Sequence, residues 1–83
     1  MTLDAAAKAK TEVKDPTVLA LIEVETGVAE VRLAMVEESA GNPSSAHAWM
    51  AKAQAAMQAS GWKDCSEAHL LAVVQTMNQQ DAL

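Results

Sequence analysis

Apolar residues recur three and four positions apart through residues 15–41, which is the spacing of one face of an α-helix. They form an unbroken heptad seam of Leu21, Val24, Val28, Val31 and Met35. Asp15 is suited to cap the first free N–H groups, and Pro16 suits the first helical position, where a missing donor does no harm. Gly41 supplies the left-handed residue that commonly closes a helix. The pattern predicts one long amphipathic helix over residues 16–40.

A second apolar row runs beside the seam, so the helix is apolar over a wider arc than one packed face requires. This row consists of Val18, Ile22, Ala29, Leu33 and Val36. Glu25 and Arg32 project between the two rows, about 10 Å apart along the helix axis. An antiparallel two-fold pairing centred between Val28 and Ala29 would place Glu25 of each copy opposite Arg32 of the other. We therefore expect one row to face the rest of the chain and the other to face a second copy.

The predicted homodimer interface combines members of both rows with the two charged residues. It consists of Val18, Leu21, Ile22, Glu25, Val28, Ala29, Arg32, Leu33, Met35 and Val36. The alternative is that Glu25 and Arg32 lie at the rim of an intramolecular core, with their aliphatic stems on apolar neighbours and their charges in water. The two interpretations differ in whether another copy of the chain covers this side of the helix.

The stretch before the long helix predicts a short helical arm. Residues 3–13 are rich in Ala and Lys, which favour helix, but their apolar stripe is weak. A helix of this length is marginal by itself. We expect this helix to run over residues 3–13 behind a Thr2 cap, and the arm of residues 1–14 either to fray or to dock only in the assembly.

The stretch after the long helix predicts two more helices, over residues 45–60 and 64–80, with Gly61 closing the first of them. The short connection between them favours an αα-hairpin, with the long helix lying across its open side. No segment alternates with the period of a strand. The expected fold is therefore all-α, a small helical bundle that forms a single domain over residues 1–83.

The composition is that of a protein with a thin core. Hydrophobic residues make up 51% of the 83 residues, but alanine supplies the largest share, and Phe and Tyr are absent. A single core of this size rarely supplies more than about 3–5 kcal/mol, and oligomerisation is a common remedy, which favours a homodimer. So small a core also leaves little room for a substrate cavity. Neither a cofactor nor a small-molecule substrate is expected.

The net charge is −5 at pH 7, and the acidic excess lies within residues 15–41. The predicted acidic face of the long helix consists of Glu23, Glu30, Glu37 and Glu38. Such a surface disfavours nucleic acid and anionic membranes as partners and attracts basic proteins. The simplest interpretation is a solvated helix face. The alternative is an acidic antagonist whose Glu-rich face occupies the basic site of a nucleic-acid-binding enzyme.

The residues capable of metal or nucleophilic chemistry are few. Cys65 and His69 lie four positions apart and could reach one metal ion, but two ligands do not make a site. His47, the third candidate, is expected at the far end of the predicted hairpin. No histidine is positioned to activate Cys65 as a nucleophile, and the carboxylates form solvated rows rather than a close pair. The sequence therefore predicts neither a metal site nor a catalytic site.

The remaining signals concern location and partner. The single cysteine allows no internal disulfide, and no apolar run has the form of a secretory signal or a membrane span, so a cytoplasmic protein is expected. Trp49 and Trp62 become partner-binding anchors if they are exposed. Taken together, the patterns predict a non-enzymatic protein-protein interaction module, regulatory, adaptor-like or structural, that homodimerises through residues 16–40.

Overall fold

The computed structural model describes residues 3–81, and within this range the chain forms four α-helices and no strand. The helices are α1 (Leu3–Glu12), α2 (Pro16–Ser39), α3 (Pro43–Ala59) and α4 (Glu67–Asp81). The fold is all-α, as the hydrophobic periodicity predicts. The predicted Thr2 cap lies outside the described residues. None of the four helices combines the length and the apolar character that a bilayer crossing requires.

Both ends of α2 are set by the residues that the sequence indicates. Asp15 Oδ1 accepts hydrogen bonds from the backbone N–H groups of Thr17 (2.9 Å) and Val18 (3.4 Å), so it satisfies two donors that the helix cannot pair. Gly41 is left-handed, with φ of 82°. The N–H of Asn42 then donates to the carbonyl of Glu37 at 2.8 Å, which closes the helix in a Schellman-type turn.

The start of α3 differs slightly from the prediction, because the helix begins at Pro43 rather than at residue 45. Proline is favoured in the first turn of a helix, where its N–H would have no partner. The side chain of Asn42 makes no capping bond there. Gly61, with φ of 88°, ends α3 as predicted, and the Trp62 N–H donates to the carbonyl of Met57 at 3.0 Å.

The segment that connects α3 and α4 does not turn directly from one helix into the next, as it would in a simple αα-hairpin. Residues 60–66 fold back along α3, so that Gln54 Nε2 donates to the carbonyl of Cys65 at 2.9 Å. One of the first free N–H groups of α4, that of His69, donates to Ser66 Oγ at 3.3 Å. As a result α4 begins only at Glu67, and its most buried residues pack against both other core helices. The most extensive helix pair is α2 with α3.

The main core lies between α2, α3 and α4. Its buried members are Val28, Val31, Ala34, Met50, Ala53, Met57, Leu70 and Val74. Gly27 allows α2 and α3 to approach closely, because a Cβ atom at this position would lie only 3.0 Å from Met57 Cγ. All large members of this cluster are aliphatic or Met, which agrees with the composition of the chain.

The N-terminal arm is docked on α2. Ala6 is buried, and Lys10 of α1 forms an ion pair with Glu23 of α2. Ile22 is also buried but lies outside the main cluster, on the helix against which α1 packs. The arm therefore shields a side of α2 that the other helices leave uncovered.

Candidate protein interface on helix α2

The exposed large apolar side chains within residues 3–81 all lie on α2. They are Val18, with 39% of its surface exposed, and Leu21 and Val36, each with 61% exposed. At 3.6 residues per turn, the three positions fall within an arc of about 60° on the helix. Alignment of this kind is unlike the scattered single apolar residues that are normal on protein surfaces.

These three side chains, together with the residues between them on the same arc, form a surface that we name the α2 stripe. The stripe consists of Val18, Leu21, Glu25, Ala29, Arg32 and Val36. Glu25 and Arg32 are exposed, and Ala29 is partly exposed. Arg32 lies beside α4, because its Nε donates to Asn78 Oδ1 at 3.1 Å. Arg32 therefore marks the edge where the stripe meets α4.

Four residues of the predicted interface lie outside the α2 stripe and are buried or partly buried. Val28 and Ile22 are buried within the monomer, so including them in the interface was wrong. Met35 packs against the main core, and Leu33 is partly buried. Val28 and Met35 belong to the heptad seam, which packs into the main core. Ile22 and Leu33 belong to the second row, and Ile22 is buried outside that core.

Leu21 belongs to the heptad seam, but it is exposed, unlike the seam residues that pack against the core. The seam keeps a strict seven-residue repeat, and a straight helix drifts by about 20° per heptad relative to that repeat. In addition, α2 has 24 residues and α3 only 17. Val24, one turn further along, still packs against the core, so Leu21 is the seam residue that joins the α2 stripe.

The predicted acidic face is not a continuous exposed row. Glu30 has only 7% of its surface exposed, which contradicts the expected solvated position. Burial raises the pKa of Glu30 above its ordinary value; Lys52 and Lys10 oppose this shift, and Glu23 adds to it. The Glu23 side chain is 13% exposed and paired with Lys10.

The C-terminal part of the acidic face is the part that remains open to solvent. Glu38 is exposed, and Glu37 is partly exposed and accepts a hydrogen bond from Asn42 Nδ2 at 3.0 Å. The difference between the two ends follows from the docking of α1 and α3 around the middle of α2. The acidic face is thereby reduced to Glu37 and Glu38.

The two candidate aromatic anchors are partly buried and pack against the main core. The Nζ atom of Lys52 lies 4.5 Å from the centroid of the Trp49 ring, within the range of a cation–π interaction. The Trp62 and His69 ring centroids are 6.4 Å apart. Both tryptophans therefore contribute mainly to the folding of the monomer.

The groups considered for metal chemistry are engaged in local structure. The Cys65 thiol donates to the carbonyl of Trp62 at 3.3 Å, and His69 Nδ1 lies 3.8 Å from Asp64 Oδ2. Hydrogen bonds from Ser66 hold the pKa of Asp64 below its ordinary value. Within residues 3–81 no three His, Cys, Asp or Glu side chains are grouped so that they could hold a metal ion.

A cleft of about 430 Å³, which the sequence patterns do not predict, lies between the end of α2 and the starts of α3 and α4. Its apolar lining includes Met35, Met50 and Leu71, and its polar lining includes Glu38, His47 and Glu67. The packing of α2, α3 and α4 against one another brings these residues together. No short sequence signal connects them, since they come from three separate helices.

Comparisons of the chain with protein-family models, with curated proteins and with solved structures find no match in any of the three.

Proposed function

We propose that this chain is a non-enzymatic, cytoplasmic protein-protein interaction module that homodimerises through the α2 stripe. The observation that carries the proposal is the alignment of Val18, Leu21 and Val36, the exposed large apolar side chains of the described residues, along one arc of α2. Burying such a surface against another protein is favourable, at about 25 cal/mol for each Å² of apolar area removed from water.

The arrangement of the stripe favours a second copy of the chain as the partner. Leu21 and Glu25 are separated by the same four positions as Arg32 and Val36. An antiparallel two-fold pairing therefore brings Leu21 of each copy against Val36 of the other, and Glu25 against Arg32. An isologous interface requires this reciprocity.

The size of the stripe sets the expected strength of the dimer. A contact between single helices lies at the small end of specific interfaces, where association is weak or transient. We expect a dissociation constant on the order of micromolar, which corresponds to about 8 kcal/mol. The alternative role as an acidic antagonist has less support, because Glu30 is buried and Glu23 is paired with Lys10.

The first experiment is the absolute mass in solution by light scattering behind size exclusion, over a range of protein concentrations. We expect a mass approaching twice 8.7 kDa as the concentration rises. Leu21→Asp should give a monomer, because it places a charge in the apolar contact. Ala55→Asp is the matched control, an exposed helical position on α3 that should leave the dimer unchanged. A monomer at every concentration for the unmodified chain would overturn the proposal.

The antiparallel pairing is tested by exchanging the two charges. Arg32→Glu should weaken dimerisation by placing Glu25 and the new carboxylate opposite each other, a repulsion that the double variant E25R/R32E should relieve. Because Arg32 also bonds Asn78, the unfolding midpoint of each variant is measured alongside the mass. If the single and double variants dimerise equally weakly, the antiparallel register is wrong.

A further inference from the structure

The cleft at the end of α2 is separate from the α2 stripe, and none of the stripe residues lines it. Its volume of about 430 Å³ lies within the range of small-ligand sites, roughly 300–1,000 Å³. Such sites usually combine an apolar lining with a few polar groups that fix the orientation of the ligand. Both components are present here.

The apolar part of the cleft is suited to an unbranched or aromatic body. Met50 is buried, and Met35 and Leu71 are partly buried, so together they offer a floor with limited access to water. Methionine side chains are flexible and polarisable, and they adapt to ligands of different shape. The apolar lining therefore favours apolar ligands in general and does not require one particular ligand shape.

The charged part of the cleft is one-sided. Glu38 from the end of α2 and Glu67 from the start of α4 both line it, no Lys or Arg is among its lining residues, and His47 is the one basic side chain there. Two carboxylates around a low-dielectric floor create a negative potential that attracts cations and repels anions. A ligand that matches both parts carries a positive charge on an apolar body.

We propose that this cleft binds an organic cation with an apolar body, an alkyl or aryl ammonium whose charge lies between Glu38 and Glu67. The ammonium donates hydrogen bonds to the carboxylates, and the hydrocarbon covers Met35, Met50 and Leu71. This site does not depend on dimerisation. The Leu21→Asp variant is used throughout the test, so that loss of the proposed dimer and loss of the proposed site are distinguishable.

The test uses methyl NMR of the chain with ¹³C-labelled methionine methyl groups. Hexylammonium is titrated in, with hexanol and hexanoate as neutral and anionic probes of the same chain length. We expect saturable shifts of Met35 and Met50 with hexylammonium, weaker binding of hexanol and no binding of hexanoate. Met57 is the internal control, because it is fully buried against Gly27 and away from the cleft.

The contribution of the carboxylates is measured with matched variants. The double variant E38Q/E67Q should weaken hexylammonium binding about fivefold, the effect expected for removing exposed ion pairs, and should leave hexanol binding unchanged. Glu12→Gln, an exposed position on α1, is the control and should change neither. Equal binding of hexanoate, unsaturable shifts, or an unaffected E38Q/E67Q variant would overturn the proposal.

The source of the ammonium group is distinguished by one further probe. Nα-acetyl-lysine N-methylamide carries an alkyl ammonium on a peptide backbone. If it shifts Met35 and Met50 at lower concentration than hexylammonium does, the natural ligand is a lysine side chain of another protein. The reverse order indicates a free amine. Both results support a cation site, while absence of saturable shifts with either probe contradicts it.

Discussion

The helices that pack around Glu30 determine its burial and its pKa. It lies on the side of α2 where α1 and α3 dock, and only 7% of its surface is exposed. Burial penalises the charged carboxylate and raises the pKa of Glu30, and the attraction of Lys52 and Lys10 compensates only in part. Ionisation of Glu30 is therefore less favourable in the folded chain than in water.

The sign of the pH dependence follows from this raised pKa. Between its unfolded and folded pKa values the folded chain binds the Glu30 proton more readily, so this contribution makes stability fall as the pH rises through that window. Glu30→Gln should therefore raise the unfolding midpoint at pH 7, and the gain should shrink as the pH falls to about 4. Urea unfolding at the two pH values measures this.

The control for this prediction is Glu12→Gln, which removes an equal charge from the exposed surface of α1. It should leave stability nearly unchanged. A Glu30→Gln chain less stable than the unmodified chain at pH 7 would mean that the attraction of Lys52 and Lys10 outweighs the cost of burial.

Gly27 is a second residue whose role depends on its neighbour. An added Cβ would meet three atoms of Met57 at 3.0–3.1 Å, and Met57 is fully buried and has little space into which to move. Gly27→Ala gains up to about 1 kcal/mol of helix propensity but incurs an overpacking cost of about 1–3 kcal/mol. We expect a net loss of about 1 kcal/mol in chemical unfolding.

The clash with Met57 can be separated from other effects by a double-mutant cycle. Met57→Ala removes all three atoms that an alanine at position 27 would meet, and by itself costs about 2–5 kcal/mol. Gly27→Ala should then be less harmful in the Met57→Ala background than in the unmodified chain. Equal losses in both backgrounds would show that another neighbour sets the cost.

At the scale of the helices, the clearest determinant is the cap of α2. The Asp15 carboxylate accepts from two backbone N–H groups at the helix start. Asp15→Ala should reduce the free energy of unfolding by about 1 kcal/mol, since these donors lose their partner. Asp15→Asn keeps a side-chain acceptor and should lose less. Thermal unfolding followed by circular dichroism measures both, and equal losses would assign the effect to charge instead of capping.

The helix ends also show how far local sequence signals reach. The Asp15-Pro16 start, the Gly41 stop and the Gly61 stop are all found where they are predicted. Each depends on backbone geometry and on hydrogen bonds between residues at most five positions apart. The start of α4 is displaced, because Gln54 of α3 holds residues 60–66 through a contact that no local pattern contains.

At the scale of the whole molecule, the N-terminal arm lies outside the main core. The main core cluster contains residues of α2, α3 and α4, and α1 packs on α2. Removal of residues 1–12 should therefore leave a chain that still unfolds cooperatively. The loss should be about 2 kcal/mol, the order expected for exposing one large apolar side chain such as Ile22.

Circular dichroism and urea unfolding of the shortened chain test this separation. Lys10→Gln is the control for the ion pair with Glu23, and it should cost at most about 1 kcal/mol because Lys10 is largely exposed. Loss of the cooperative transition in the shortened chain would show that α1 is an obligatory part of the core.

The sequence by itself determined the all-α class, the four helices and the ends of the longest one. These properties follow from hydrophobic periodicity, capping residues and left-handed glycines, which act through neighbours along the chain. The sequence also singled out the apolar arc of α2 from which the stripe is formed. The sequence could not decide, at each turn of α2, which of the two apolar rows faces the core, since both rows have helical spacing.

Only the tertiary structure decided which side chains are covered. Glu30 is buried where α1 and α3 dock, Leu21 is left exposed on α2, and residues of α2, α3 and α4 together line the cleft beside Glu67. The physical reason is that burial depends on contacts between residues far apart in the chain. A periodic pattern indicates that a face is apolar, but the partner that covers it is set by how all four helices pack.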